Sequence, residues 1–151
     1  MRVFTTFDEV AAAAGETLGT GEWVEITQER VDQFAEATGD HQWIHVDVAR
    51  AEEGPFGGTI AHGYLTLSLI PFLGRSVFSI QTPGAVLNYG LNKVRFPNPV
   101  PVGRRVRITV DLAEVLEIPA GRQVTLRSTI EIEGETKPAC VAENVVLLLS
   151  D

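Results

Sequence analysis

The chain has 151 residues, 44% of them hydrophobic and 21% charged. That length suits a single domain over residues 1–151, and that balance excludes a disordered or fibrous protein. Twelve Lys and Arg against twenty Asp and Glu give a formal charge of −8, which opposes nucleic acid or an anionic membrane as a partner.

The lone cysteine, Cys140, allows no internal disulfide and reads as a small buried hydrophobe. No leader pattern opens the chain and no apolar run reaches membrane length, so a cytoplasmic protein is expected. In chain order, Asp8 to Ala14 reads as a short peripheral helix stopped by Gly15. After a Gly19-Thr20-Gly21 turn, Glu22 to Ile26 alternate as a short strand. Thr27 then caps a helix that carries Val31, Phe34 and Ala35 on one face and ends at Gly39. Asp40 to Gly58 lacks periodicity and reads as an ordered loop with one short turn after Asp47, the kind of segment that often carries function.

From His62 to Val77, apolar residues occupy nearly every face of a helix, which predicts a buried rod kinked or broken near Pro71. Beyond Gly84 the period becomes two. Val106, Ile108, Val110 and Leu112 alternate with polar residues; Val124, Leu126, Ile130 and Ile132 share one parity. Ala139 to Leu149 is apolar enough to be central, and Pro119-Ala120-Gly121 and Gly134-Glu135 supply turns. The layout is α+β, a mostly antiparallel sheet curling around an apolar helix, and its unpaired edge argues for a dimer.

Two clusters carry chemistry. In Gly39-Asp40-His41-Gln42-Trp43-Ile44-His45, a carboxylate and an imidazole five residues apart follow a helix stop and can share a water for general acid and base work. In Gly57-Gly58-Thr59-Ile60-Ala61-His62-Gly63-Tyr64, a glycine opens a helix whose unpaired backbone N–H groups can polarise a carbonyl. Together they suit addition of water to a double bond conjugated to a carbonyl. A metal reading of His41, His45 and His62 with Asp40 or Asp47 ranks well behind, because a four-residue spacing joins two His only on a helix and a loop is expected here. Lys93, Arg95, Arg104, Arg105 and Arg107 fall within fifteen positions and read as a solvated face or a local phosphate contact.

These residues resemble the MaoC-like, or (R)-specific enoyl-thioester hydratase, family with the hot-dog fold. The likeness rests on Phe34-Ala35-Glu36-Ala37-Thr38-Gly39-Asp40 with Ile44-His45, on His62-Gly63-Tyr64-Leu65, and on Lys93-Val94-Arg95-Phe96 with Pro99-Val100 and Val102-Gly103. It implies a homodimer, each chain wrapping a curved antiparallel sheet around a long central helix. It implies that Asp40 and His45 hold a catalytic water and that the Gly63 N–H polarises a thioester carbonyl. The implied reaction is syn hydration of a trans-2-enoyl-CoA to the (R)-3-hydroxyacyl-CoA, or its reverse, with no metal or redox cofactor and coenzyme A carried on the substrate. Gln42, Trp43, His62, Tyr64, Lys93 and Arg95 are the further candidates for substrate contacts. One departure is Gln42-Trp43 where the family pattern has Asn-Pro, which removes a backbone restraint and adds bulk. The alternatives are a dehydratase of acyl carrier protein substrates, a hot-dog thioesterase, and a non-catalytic subunit that binds acyl thioesters.

Overall fold

A computed structural model describes residues 1–151. Strand β1 (Arg2–Phe4) leads into helix α1 (Phe7–Ala12), whose start is fixed by a capping box. The Thr6 hydroxyl accepts from the Glu9 N–H, and the Glu9 carboxylate accepts from the Thr6 N–H. Val10 and Ala13 are fully buried in the main core, so α1 is not the peripheral element that sequence predicted. The expected Gly19-Thr20-Gly21 turn is also displaced, because β2 (Thr17–Thr20) pairs with β6 (Arg105–Ile118) through Thr20. The chain is pinned there by reciprocal backbone bonds, Gly15 N–H to the Leu112 carbonyl at 2.7 Å and Leu112 N–H to the Glu16 carbonyl at 2.9 Å. Strand β3 (Val24–Glu25) pairs with the same partner.

Helix α2 (Gln28–Thr38) begins and ends where sequence placed it. Thr27 Oγ1 accepts from the Arg30 N–H, and Gly39 closes the helix with φ +78°, a conformation that favours glycine. The segment from Asp40 departs from the expected loop. It holds two helices of about one turn, α3 (Trp43–Val46) and α4 (Val48–Glu52), and Asp47 ends one while its carboxylate caps the other at Arg50 N–H.

The predicted long rod is two short helices, α5 (Gly63–Ser68) and α6 (Ile70–Gly74). Pro71 has no N–H to give and its ring conflicts with the carbonyl four residues back, so the chain breaks at Leu69. Leu65, Leu69, Ile70 and Leu73 are buried as expected, but Tyr64 is 71% and Phe72 40% exposed.

Strand β4 (Phe78–Ile80) pairs in parallel with β1, apart from the main sheet. The main sheet has six strands, all paired antiparallel: β2, β6, β7 (Gly121–Ile132), β8 (Cys140–Leu149) and β5 (Val86–Arg95) in that order, with β3 beside β6. The expected alternation is realised on β6, where Val106, Ile108, Val110 and Leu112 are at most 1% exposed, each burial stabilising by roughly 1.5–3 kcal/mol. These residues join the α5 and α6 leucines in one core. Cys140 is fully buried in it, and burial pushes its thiol up to about 11. Strand β5 forms the sheet edge and is exposed along nearly its whole length. No helix is long and apolar enough to cross a membrane.

Candidate active site

The C-terminal glycine of α2 turns the chain so that Asp40 starts the polar segment, and the Gln42 N–H donates to its Oδ1 at 3.3 Å. One helical turn then carries His45 inward, where it is buried. The segment is tied to the strand-like stretch before α5 by two bonds: Ile60 N–H donates to the Ile44 carbonyl at 3.0 Å, and His45 Nδ1–H donates to the Ile60 carbonyl at 2.7 Å. With Nδ1 so committed, Nε2 of His45 carries the free lone pair. Burial holds the His45 imidazole below its ordinary value; the Ile60 carbonyl and Asp40 act in the other direction, and His62 adds to the lowering.

His62 completes the cluster. Its ring is 2% exposed and is tilted against Phe34, with centroids 4.8 Å apart. Its Nε2–H donates to the Asp40 carbonyl at 3.0 Å, and its buried Nδ1 has no partner. One polar atom from each of Asp40, His45 and His62 lies within 4.8 Å of the others. The sequence reading of the metal-type cluster is corrected in two respects. His45 is helical rather than in a loop, and the residues brought together exclude His41, which faces Glu36 at 3.6 Å, and Asp47, which caps α4. Two of the four ring nitrogens in the cluster already serve backbone carbonyls, which leaves a geometry suited to holding a small polar molecule between a carboxylate and an imidazole.

Gly63 is the first residue of α5, so its N–H has no partner within the helix. A Cβ there would stand 2.9 Å from Phe96 Cδ2, so the Phe96 ring closes directly over this backbone. Tyr64 meets the same ring edge-on at 6.2 Å with its body in solvent.

The other candidates are dispersed. Gln42 takes part through its backbone, while the Trp43 ring lies under the Arg50 guanidinium at 4.2 Å and against Gly54. Arg105 and Arg107 pair across the strands with Glu133 and Glu131, and Arg104 bonds the Glu133 carbonyl, so this part of the basic cluster is internally neutralised. Lys93 and Arg95 project from the exposed β5 without a carboxylate partner, and Arg95 directly precedes Phe96.

Sequence reasoning missed Gln28. Its Nε2 donates to the His45 carbonyl at 2.7 Å and its Oε1 accepts from the Thr59 hydroxyl at 2.6 Å, so one side chain braces both polar segments. A Gln in the first turn of a helix carries no signal for contacts seventeen and thirty-one residues away.

Comparison with known proteins bears on this geometry. Residues 9–133 match the family model described as MaoC like domain. The chain is 56% identical over 147 residues to 3-hydroxyacyl-thioester dehydratase Z of Mycobacterium tuberculosis, covering 97% of each protein. It is 36% identical over 111 residues to 3-hydroxybutyryl-CoA dehydratase of Methylorubrum extorquens, covering 74% of this chain and 67% of that protein. Among solved structures, the (R)-hydratase from A. caviae involved in PHA biosynthesis superposes with a TM-score of 0.73 at 27% identity, covering 89% of this chain and 96% of that one. The sheet wrapped on α5 and α6 is thus a hot-dog fold, and the chain belongs to the MaoC-like dehydratases, a family of hydro-lyases.

Proposed function

We propose that this protein interconverts trans-2-enoyl-CoA and (3R)-hydroxyacyl-CoA by syn addition or removal of water. The observation that carries the reading is the convergence of the Asp40 carboxylate and the His45 imidazole beside the free N–H that opens α5. In the hydration direction, a water held between Asp40 and His45 Nε2 gives up one proton to this pair as its oxygen bonds to C3. The pair returns a proton to C2 on the same face, so the elements of water add across the double bond. Negative charge that grows on the thioester oxygen is met by the Gly63 N–H. Coenzyme A enters as part of the substrate, and no further cofactor is required by this chemistry. Lys93 and Arg95, free of carboxylate partners, are suited to its phosphates.

Support for the carrier comes from the CoA substrate in the name of the Methylorubrum relative. Matched CoA and acyl carrier protein thioesters separate this reading from a carrier-protein dehydratase, which would turn over the second and spare the first. We further propose a cytoplasmic homodimer of this single domain, joined along β5, whose Val86, Leu87 and Leu91 are about half exposed and whose Tyr89 is 67% exposed on an unpaired edge.

The test is loss of the ultraviolet absorbance of a conjugated enoyl-CoA. Asp40→Asn and His45→Gln should each lower turnover by about 10²–10⁴, a barrier change of roughly 3–5 kcal/mol, while circular dichroism shows both folded. Wild-type turnover in both folded variants overturns the reading.

A further inference from the structure

Helix α3 is a single turn with no side chain capping its start, and a helix that short does not hold its shape unaided. Its inner side is held, because the His45 carbonyl accepts from Gln28 Nε2 and the Ile44 carbonyl from the Ile60 N–H. Trp43 stands on the other side. It lies two residues before His45 and so about 200° round the helix from it, at roughly 100° per residue.

The joint between Asp40 and His45 is the Gln42 backbone, at φ −57° and ψ 136°. A glutamine is free in itself to turn from this extended ψ into the helical well, and that turn swings Asp40 relative to the imidazole. Two local bonds oppose it: the Gln42 N–H donates to Asp40 Oδ1 at 3.3 Å, and the His45 N–H donates to the Gln42 carbonyl at 3.0 Å. Neither ties the joint to the rest of the molecule. The indole of Trp43 does. The Arg50 guanidinium lies over the partly buried ring at 4.2 Å from its centroid, and a Cβ on Gly54 would stand 3.0 Å from ring Cζ3 and 3.1 Å from Cη2. Gly54 has no positive φ, so its backbone does not ask for glycine; the space beside it is taken by the ring. Arg50 is in α4 and Gly54 lies just past its end, so the indole fastens the start of α3 to the far end of α4.

The Trp43 N–H, by contrast, has no acceptor. It belongs to the first residue of a helix, and none of the turn and cap bonds uses it. A first helical position with an unused N–H, preceded by an extended residue, is one that proline can occupy.

We propose that Trp43 is a positioning residue for the reaction: its indole, held by Arg50 and Gly54, fixes the Gln42 joint and with it the reach between the Asp40 carboxylate and the His45 imidazole. The proposal rests on the reading of Asp40 and His45 as the pair that holds the water, and it names what keeps them in register. The indole acts on the backbone and not on the substrate, so another restraint at the same joint serves in its place. Proline at position 43 removes the indole, locks its own φ and keeps Gln42 out of the helical well.

The experiment uses the full-length protein and two measurements. Native-state hydrogen exchange of the His45 and Asp47 amides, which donate to the Gln42 and Trp43 carbonyls, reads the opening of α3 without substrate. The kcat and KM for crotonyl-CoA read the reaction. Trp43→Ala should speed exchange at both amides about tenfold and lower kcat about 10- to 100-fold, with KM within about twofold of wild type. Trp43→Pro, equally without an indole, should restore protection and bring kcat back to within about threefold of wild type. Arg50→Ala uncovers the ring and leaves the backbone cap at Asp47 in place; exchange should quicken about two- to fivefold, the size of one exposed cation–π contact.

Wild-type exchange and kcat in folded Trp43→Ala overturn the proposal, as does a lower melting temperature with both unchanged, which marks the ring as packing only. Equal loss in Trp43→Ala and Trp43→Pro with a raised KM overturns it too, since the ring then touches substrate. Where a Trp43 variant does not fold, exchange in Arg50→Ala decides, and a wild-type rate there overturns the proposal. Absence of turnover in the wild type sinks the hydratase reading instead, and the exchange rates still decide whether the indole holds the joint.

Discussion

The rings of His45 and His62 lie face to face, with centroids 3.9 Å apart and planes inclined by 24°. His62 also donates through Nε2–H to the Asp40 carbonyl, so one residue positions both halves of the proposed pair, the imidazole by stacking and the carboxylate by its backbone. His62→Ala removes both contacts and lets water reach His45, while His62→Phe keeps a ring and loses the hydrogen bond. Turnover should fall about 10- to 100-fold in both, the scale of a misplacement near 1 Å. Since burial and His62 both lower the His45 imidazole, the acid limb of the kcat/KM profile should move up in His62→Ala and stay closer to wild type in His62→Phe. Identical limbs in all three proteins would refute the positioning role.

The same lowering of His45 makes stability depend on pH. In the unfolded chain the imidazole titrates near 6.5; in the folded protein burial delays its protonation to lower pH. Above 6.5 neither state holds the proton and the contribution is fully present; as pH falls from there toward the folded value, only the unfolded state gains a proton and stability is lost. Urea unfolding between pH 7 and pH 5 should therefore show a decline that His45→Gln flattens. A decline of equal slope in the variant assigns the effect to other groups.

How far the chain could be read without coordinates depended on the range of each interaction. Strands β6 and β7 follow from a period of two, β8 from an apolar run, and α2 from Thr27 at one end and Gly39 at the other, because these signals sit within the element itself. The strand expected over Glu22 to Ile26 is realised as the two-residue β3, whereas the pinned β2 has no periodicity to detect and its place is fixed by β6, some ninety residues away in sequence. The split of the rod at Leu69 was foreshadowed by Pro71, but the exposure of Tyr64 and Phe72 was not, since helical composition does not reveal where the sheet ends. At the site, Asp40 and His45 stood out by spacing. Their convergence with His62 rests on the Ile60 bridges and on Gln28, contacts between segments that carry no local pattern.

Gln28 offers a direct check of that long-range bracing. Gln28→Leu leaves the Thr59 hydroxyl, on a buried residue, without its acceptor and the His45 carbonyl without its donor. The expected cost is about 1–3 kcal/mol of stability. A double-mutant cycle with Thr59→Val isolates the bond between them and should return a coupling of about 0.5–1.5 kcal/mol. Additive losses within error would show that the two side chains act independently.

Gly63 gives the sharpest test of the proposed carbonyl contact, because its backbone lies in an ordinary helical turn and does not need glycine for its dihedral angles. What excludes a side chain is space. A methyl group would sit 2.9 Å from Phe96 Cδ2 and 3.1 Å from Cγ, near the root of the ring, where rotation about the side chain gives little relief. Gly63→Ala should therefore displace Phe96 or shift the helix start by a few tenths of an ångström or more, moving the N–H that the thioester oxygen would meet. Misaligning a single oxyanion donor costs up to about 10²–10³ in turnover, and a smaller displacement should cost less. Replacing Phe96 with alanine removes every atom that the methyl group strikes. The Gly63→Ala, Phe96→Ala double variant should recover a large part of the turnover lost in Gly63→Ala alone, with both variants folded by circular dichroism. If turnover in Gly63→Ala stays at the wild-type level, the backbone there does not serve the reaction. If it falls and Phe96→Ala restores nothing, the loss does not come from this contact.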